Sequence, residues 1–267
     1  MELGLRDRTY IVTGGSRGLG FAATQALTGE GARVLLSAPH EATATAAVAR
    51  LTEAGAAAGD IGWVVADNAD PATPDRLIAA ARDRFGGLDG ALISVGGSPA
   101  GTVAGTTDEA WRAAFESVYL GAVRLARALA VELDGRAGPG ALTGTGGSVV
   151  FVLASSVRVP LAELAISNGL FPGLAGVVKT LAEEIGPTGV RVNGILPVRI
   201  ATDRVRELDA LSGDPDEVRA QRSQSIPLRR YGEPAEFGRT AAFLLSPAAS
   251  YTTGAMIPVD GGAIRSI

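Results

Sequence analysis

The sequence predicts an α/β protein, a single domain over residues 1–267 built on a doubly wound parallel sheet. Three observations predict it. Strand-like and helix-like segments alternate from the N-terminus onward. The strand segments are apolar along most of their length, as strands covered on both faces are. The first strand also enters a helix through a glycine-rich turn, Tyr10–Gly20, with the sequence Tyr-Ile-Val-Thr-Gly-Gly-Ser-Arg-Gly-Leu-Gly.

That turn organises the chain. Tyr10 to Val12 favour a strand, and apolar or small residues then recur at helical spacing through Leu19, Ala22, Ala23, Ala26 and Leu27. Gly14, Gly18 and Gly20 permit backbone angles and close approaches that a Cβ forbids. The amides of the following helix's first turn, with the helix dipole behind them, form a seat for an anion such as a pyrophosphate. Two rivals fail on inventory. Gly14-x-Ser16-x-Gly18 matches a hydrolase nucleophile elbow, but the only histidine is His40, with no aspartate between it and Ser16. A triphosphate loop would need Gly-Lys-Ser/Thr, which is absent.

The remaining elements follow in order. Ala32–Ala38 reads as the second strand, and His40–Glu53 as an alanine-rich helix broken by Gly55–Asp60. Ile61–Ala66 is the third strand, Pro71–Phe85 a helix with proline near its start, and Gly90–Val95 the fourth strand. Thr107–Leu133 reads as one long helix whose stripe runs through Trp111, Phe115, Val118, Ala122, Leu125 and Leu129. Asp134–Gly147 is a glycine-dense connector. Ser148–Leu153 and Val190–Leu196 are the fifth and sixth strands, with a helix between them. Helices at Thr202–Leu211, Asp214–Ser223 and Pro234–Leu245 precede a last strand at Ala255–Val259.

Composition narrows the function classes. A formal charge of −4 gives no reason to expect nucleic acid. The chain has no cysteine and one histidine, which excludes disulfides and thiolate chemistry and argues against a histidine-built metal site. The N-terminus shows no apolar targeting segment, and no stretch approaches membrane-spanning length. The expectation is a cytoplasmic protein with neither a membrane nor a nucleic-acid partner.

Several motifs in register resemble the short-chain dehydrogenase/reductase family over roughly residues 5–263. Thr13-Gly14-x-x-x-Gly18-x-Gly20 is similar to its cofactor turn, and Asp67 stands where relatives bind the adenine. Asn193, Pro197 and Thr202 resemble the segment flanking the nicotinamide. Phe243-Leu-Leu-Ser-Pro and Val259-Asp260-Gly261-Gly262 resemble C-terminal segments often buried in a tetramer. The resemblance implies a Rossmann-type fold and a homo-oligomer, tetramer or dimer, acting on a small molecule. It also implies cofactor contacts from Gly14, Ser16, Arg17, Gly18, Leu19, Gly20, Ser37, Asp67, Asn68, Gly96, Pro197 and Thr202. NADP(H) is expected over NAD(H). Ser37-Ala38-Pro39-His40, after the second strand, holds no carboxylate for a ribose 2′-hydroxyl, and Arg17 suits a 2′-phosphate.

The family's chemistry rests on Asn, Ser, Tyr and Lys, and here the resemblance breaks. The serine slot falls at Ser155-Ser156, with Ser156 the better fit. Counting back from Gly173-Leu174-Ala175-Gly176 and Lys179 puts Ser167 in the tyrosine slot and Phe171 in the lysine slot. Counting from Trp111 puts Val118 in the asparagine slot, and Ile93-Ser94-Val95-Gly96 replaces Asn-Asn-Ala-Gly. Ser156 and Ser167 are therefore the catalytic candidates. Lys179, the only lysine, lies two helical turns beyond its slot, roughly 12 Å along a helix. Tyr119 adjoins Val118 but points off its face. Arg158, Glu163 and Asn168 remain near the pocket mouth, as solvated loop residues or, for Arg158, an anion partner and, for Glu163, a substitute acid. Gly169 and Pro172 predict that the helix after the serines kinks or starts late. Residues 156–160 and 164–168 resemble a divergent branch of the family that lacks the tyrosine–lysine pair.

Overall fold

The computed structural model describes residues 2–134 and 146–266, so most of the glycine-dense connector lies outside the described residues. Seven strands form one parallel sheet in the order β3-β2-β1-β4-β5-β6-β7. They are β1 Thr9–Val12, β2 Arg33–Ala38, β3 Ile61–Val65, β4 Gly90–Ile93, β5 Ser148–Val152, β6 Arg191–Pro197 and β7 Met256–Val259. The chain begins mid-sheet, runs outward to β3, then crosses back past β1 to build the other half. Val12 accordingly pairs with Leu36 on one side and Leu92 on the other.

Nine helices are described: α1 Gly18–Gly29, α2 Glu41–Glu53, α3 Thr73–Phe85, α4 Asp108–Ala114, α5 Gly121–Leu133, α6 Ala165–Ile185, α7 Asp203–Ala210, α8 Pro215–Ser223 and α9 Pro234–Leu245. Alternate strand residues face opposite helix layers. On one face Leu35, Ile93 and Phe151 pack with Leu77 of α3, Leu129 of α5, and Leu174 and Val178 of α6. On the other, Val12, Val34 and Val150 meet Leu27 of α1 and Phe237 of α9, while α2 covers Leu36 and Ala38. Burial of each large apolar side chain contributes about 1.5–3 kcal/mol. Gly238 lets α9 approach α1, since a Cβ there would run into the Ala22 carbonyl. Arg191 ties β6 to the end of α9, donating from Nη1 to the Leu244 carbonyl at 2.8 Å and from Nη2 to that of Ser246 at 2.9 Å. Burial pulls its pKa down to about 10.

Most boundaries lie within two residues of those expected, with four differences of substance. α3 begins at Thr73 rather than Pro71, and the proline in its first turn is Pro74. β3 is an edge strand and is not covered on both faces, leaving Trp63 36% and Val65 41% exposed. The expected single long helix is α4 and α5 joined by a π-helical turn, Phe115–Leu120. A π turn takes more residues per revolution and shifts the phase of the stripe. Phe115 is thereby turned outward while Val118, Ala122, Leu125 and Leu129 stay buried. Finally, α6 runs unbroken from Ala165 with Pro172 in its interior, which overturns the late start. Its glycines have a packing cause: a Cβ on Gly169 or Gly173 would lie 2.9 Å from the ring of Trp111 or Tyr119, respectively. Among the described residues no helix is long and apolar enough to cross a membrane.

Candidate active site

The carboxyl ends of β1 and β4 diverge at the point where the strand order reverses, the place where open parallel sheets bind ligands. Thr13 ties the two ends together: its Oγ1 donates to the Ser94 carbonyl at 2.9 Å and accepts from the Ser94 amide at 2.7 Å. Gly14 and Gly18 have φ of 59° and 55°. A Cβ on Gly15 would lie 2.7 Å from Leu36 Cβ, and one on Gly20 would strike the Gly14 carbonyl. The first backbone hydrogen bond of α1 runs from the Phe21 amide to the Arg17 carbonyl, which leaves the Gly18, Leu19 and Gly20 amides to a ligand, while those of Gly14 and Gly15 bond to Ser37. This donor set, with buried Ser16 below and exposed Arg17 beside it, fits a dinucleotide pyrophosphate.

At the adenosine end, Ser37 Oγ accepts from the Gly14 amide at 3.3 Å, so it braces the turn. His40 is exposed immediately before α2. Asp67 forms a tight turn through Oδ1, which accepts from the Ala69 amide at 2.9 Å. The Asn68 carbonyl is pressed against Gly121, where a Cβ would collide with it.

At the opposite end, Pro197 closes β6 and Gly96 has φ of 80°. Thr202 caps α7 through Oγ1, which accepts from the Val205 amide at 3.4 Å, and its methyl lies 3.9 Å from the position of a Cβ on Gly18. The structure brings Ser156 and Ser167 together. Their hydroxyl oxygens are 3.1 Å apart, Ser156 Oγ also lies 3.2 Å from the Ser167 carbonyl, and both residues are buried. Val118 and Phe171 are buried in the apolar core below. The other polar candidates do not converge on this pair. Asn168 clasps the Leu161 backbone at 2.9 and 2.7 Å, and exposed Glu163 has a left-handed φ of 57° with its carbonyl accepting from the Gly101 amide. Arg158 reaches the Ser266 carbonyl at 3.5 Å. Tyr119 stacks on Phe115 at 5.2 Å, and Lys179 lies beside Gly254. Among the described residues no His, Cys, Asp and Glu group is placed to hold a metal ion.

The family model described as Enoyl-(Acyl carrier protein) reductase matches residues 14–263. The chain belongs to the short-chain dehydrogenase/reductase family. It is 33% identical over 260 residues to the L-rhamnose 1-dehydrogenase (NAD(P)(+)) of Azotobacter vinelandii, covering 97% of each chain. It is 30% identical over 261 residues to a Vibrio cholerae 3-oxoacyl-[acyl-carrier-protein] reductase, covering 97% of this chain and 98% of the relative. Among solved structures it resembles the L-sorbose reductase of Gluconobacter frateurii complexed with NADPH and L-sorbose, with a TM-score of 0.89, 28% identity and full coverage of both chains.

In this short-chain dehydrogenase/reductase the segment beyond β6 is a closed excursion that sequence reasoning missed. Its two ends are zipped together: the Gly232 amide donates to the Arg199 carbonyl at 3.0 Å and the Ala201 amide to the Gly232 carbonyl at 2.8 Å. Inside, the Asp209 carboxylate, 2% exposed, accepts from Arg199 at 2.7 Å and from the Tyr231 hydroxyl at 2.9 Å, and pairs with Arg222. Burial and then the bond to Asp209 raise the Tyr231 pKa. No spacing signal marks this cluster, because its four members come from four separate segments. Ser98, on the loop after β4, and Arg204, in the first turn of α7, were likewise missed, since neither belongs to a recognisable motif.

Proposed function

We propose that this protein is an NADP(H)-dependent oxidoreductase acting on a carbonyl/alcohol pair with an altered proton relay. The observation that carries the proposal is the hydrogen-bonded Ser156–Ser167 pair after β5, two strands along the same sheet from the glycine turn that follows β1. NADPH, when bound, supplies hydride to a carbonyl carbon. Ser156 polarises the carbonyl oxygen, Ser167 orients the Ser156 hydroxyl, and a water delivers the proton. A serine hydroxyl is a far weaker acid than a phenol, so this relay is slow beside a tyrosine–lysine one. Ser167 and Phe171 in the tyrosine and lysine slots, with the resemblance of residues 156–160 and 164–168, support a branch lacking that pair. Arg17, together with the absence of a carboxylate from Ser37 to His40, supports NADP(H) over NAD(H). The L-sorbose reductase complexed with NADPH supports the same choice. We also propose a cytoplasmic homo-oligomer, tetramer or dimer.

A second reading has its own support. Val118 and Phe171 make two relay slots apolar and buried, which suits a nucleotide-binding subunit or sensor without turnover. Calorimetric titration with NADPH and NADH, followed by a carbonyl panel monitored at 340 nm, separates the two. Micromolar NADPH binding, much weaker NADH binding and turnover abolished by Ser156→Ala would support the oxidoreductase. NADPH binding with an inert panel would support the sensor, and binding of neither would end both.

A further inference from the structure

Arg204, in the first turn of α7, makes its one short contact with a neutral group. Its Nη2 donates to the Ser98 carbonyl at 2.7 Å, while Nη1 lies 3.5 Å from Glu207 and the side chain is 42% exposed. The approach requires Gly97, because a Cβ there would lie 2.9 Å from Arg204 Nε. The hydroxyl of Ser98 itself is buried and has no hydrogen-bond partner among the described residues. An unpaired buried hydroxyl is costly, so a group that satisfies it recovers that cost.

The position of this pair is fixed by topology. Ser98 lies on the loop leaving β4 and Arg204 follows the loop leaving β6, and in the sheet β5 runs between them. A bridge from one loop to the other therefore spans the end of β5, where Ser156 sits. The guanidinium offers only donors, and the Ser98 hydroxyl has a proton to give. What completes such a cluster is an acceptor with two oxygens, and a carboxylate matches the guanidinium fork.

We infer that Arg204 and Ser98 form a carboxylate subsite, and that the substrate is an oxo acid or its hydroxy acid, held by its carboxylate with the carbonyl facing Ser156. The assignment of this subsite to a substrate rests on the oxidoreductase reading above. The test is calorimetric titration of the protein, with and without saturating NADPH, using 2-oxobutanoate and 4-oxopentanoate, each beside its methyl ester. The acids are expected to bind at least about 10-fold more tightly than the esters, the size of effect a charge-assisted hydrogen bond gives. Arg204→Met should bring the acid-to-ester ratio within about twofold, and Arg204→Lys should retain an intermediate preference, since the charge stays and the fork is lost. Ser98→Ala should weaken acid binding a fewfold, and Arg206→Met, on the exposed side of α7, should leave the ratio unchanged. Equal binding of acid and ester, binding of neither, or a ratio that survives Arg204→Met would overturn the subsite and leave the Arg204–Ser98 contact as a structural tie. Failure of NADPH to bind would instead remove the oxidoreductase reading, while the ratio measured without cofactor still judges the subsite.

Discussion

The two walls of the crevice are made differently. The wall at β1 and α1 is backbone: amides and glycines whose missing side chains leave room for a ligand, with Gly15 and Gly20 packed so closely that a Cβ has nowhere to go. The wall at β5 and α6 is side chain: Ser156, Ser167, Phe171 and Val118, all buried. A backbone seat cannot change without moving the fold. A side-chain wall can change its chemistry by substitution without a change of backbone, although Phe171 and Val118 also fill the apolar core that holds α6 to the sheet, so changing them carries a stability cost. The proposed binding and the proposed chemistry thus rest on different kinds of structure, one backbone and one side chain.

The largest effect should come from rebuilding the side-chain wall. The triple change V118N, S167Y and F171K is expected to raise carbonyl turnover with NADPH about 10²–10⁴-fold, the worth of general acid–base help, and an unchanged rate at 340 nm would break the comparison. Phe171→Lys alone leaves a buried charge uncompensated and should cost about 3–5 kcal/mol in urea unfolding. On the backbone wall, Gly20→Val should weaken NADPH binding more than about 100-fold and cost about 1–3 kcal/mol of stability through overpacking. Arg17→Ala should weaken NADPH about 10-fold or more and NADH less than twofold, a difference that calorimetry resolves.

The smallest effect lies away from both walls. Glu236 accepts from Arg230 through two bonds of 2.7 Å and from the Glu233 amide, and these hold its pKa down to about 2. Because its folded pKa is depressed, its contribution is present above the ordinary carboxylate range and is lost as pH falls through about 2. The melting temperature of Glu236→Gln should therefore sit slightly below that of the parent at pH 7 and converge with it on acidification. Its NADPH affinity should not change.

What was legible in the sequence follows the same division. The glycine turn and the doubly wound parallel sheet could be read because each depends on spacing within one segment or between neighbouring ones; Ser156 and Ser167 came from the family resemblance, and the hydrogen bond between them was not foreseen. The π turn at Phe115–Leu120 could not, since helical periodicity carries no mark of one extra residue until Phe115 is found facing outward. The edge position of β3 was hidden by its apolar composition, which suits a covered strand equally well. Gly169 read as a helix breaker because its partner, Trp111, lies far away in the sequence, and the same is true of Gly173 and Tyr119, whose contact gave no local signal. Asp209, Ser98 and Arg204 draw their meaning from contacts across loops, which no local pattern encodes.

The excursion between Arg199 and Gly232 has a consequence for how this scaffold can be altered. Its ends are already hydrogen-bonded to each other, and its interior is pinned by Asp209 rather than by the sheet. Residues 200–231 also reach outward: the Leu228 amide donates to the Gly261 carbonyl at 3.2 Å, Arg204 to the Ser98 carbonyl and Arg230 to Glu236. A foreign segment grafted onto the same stem therefore has to bring an internal anchor and replace these three ties if β6 and its neighbours are to stay where they are.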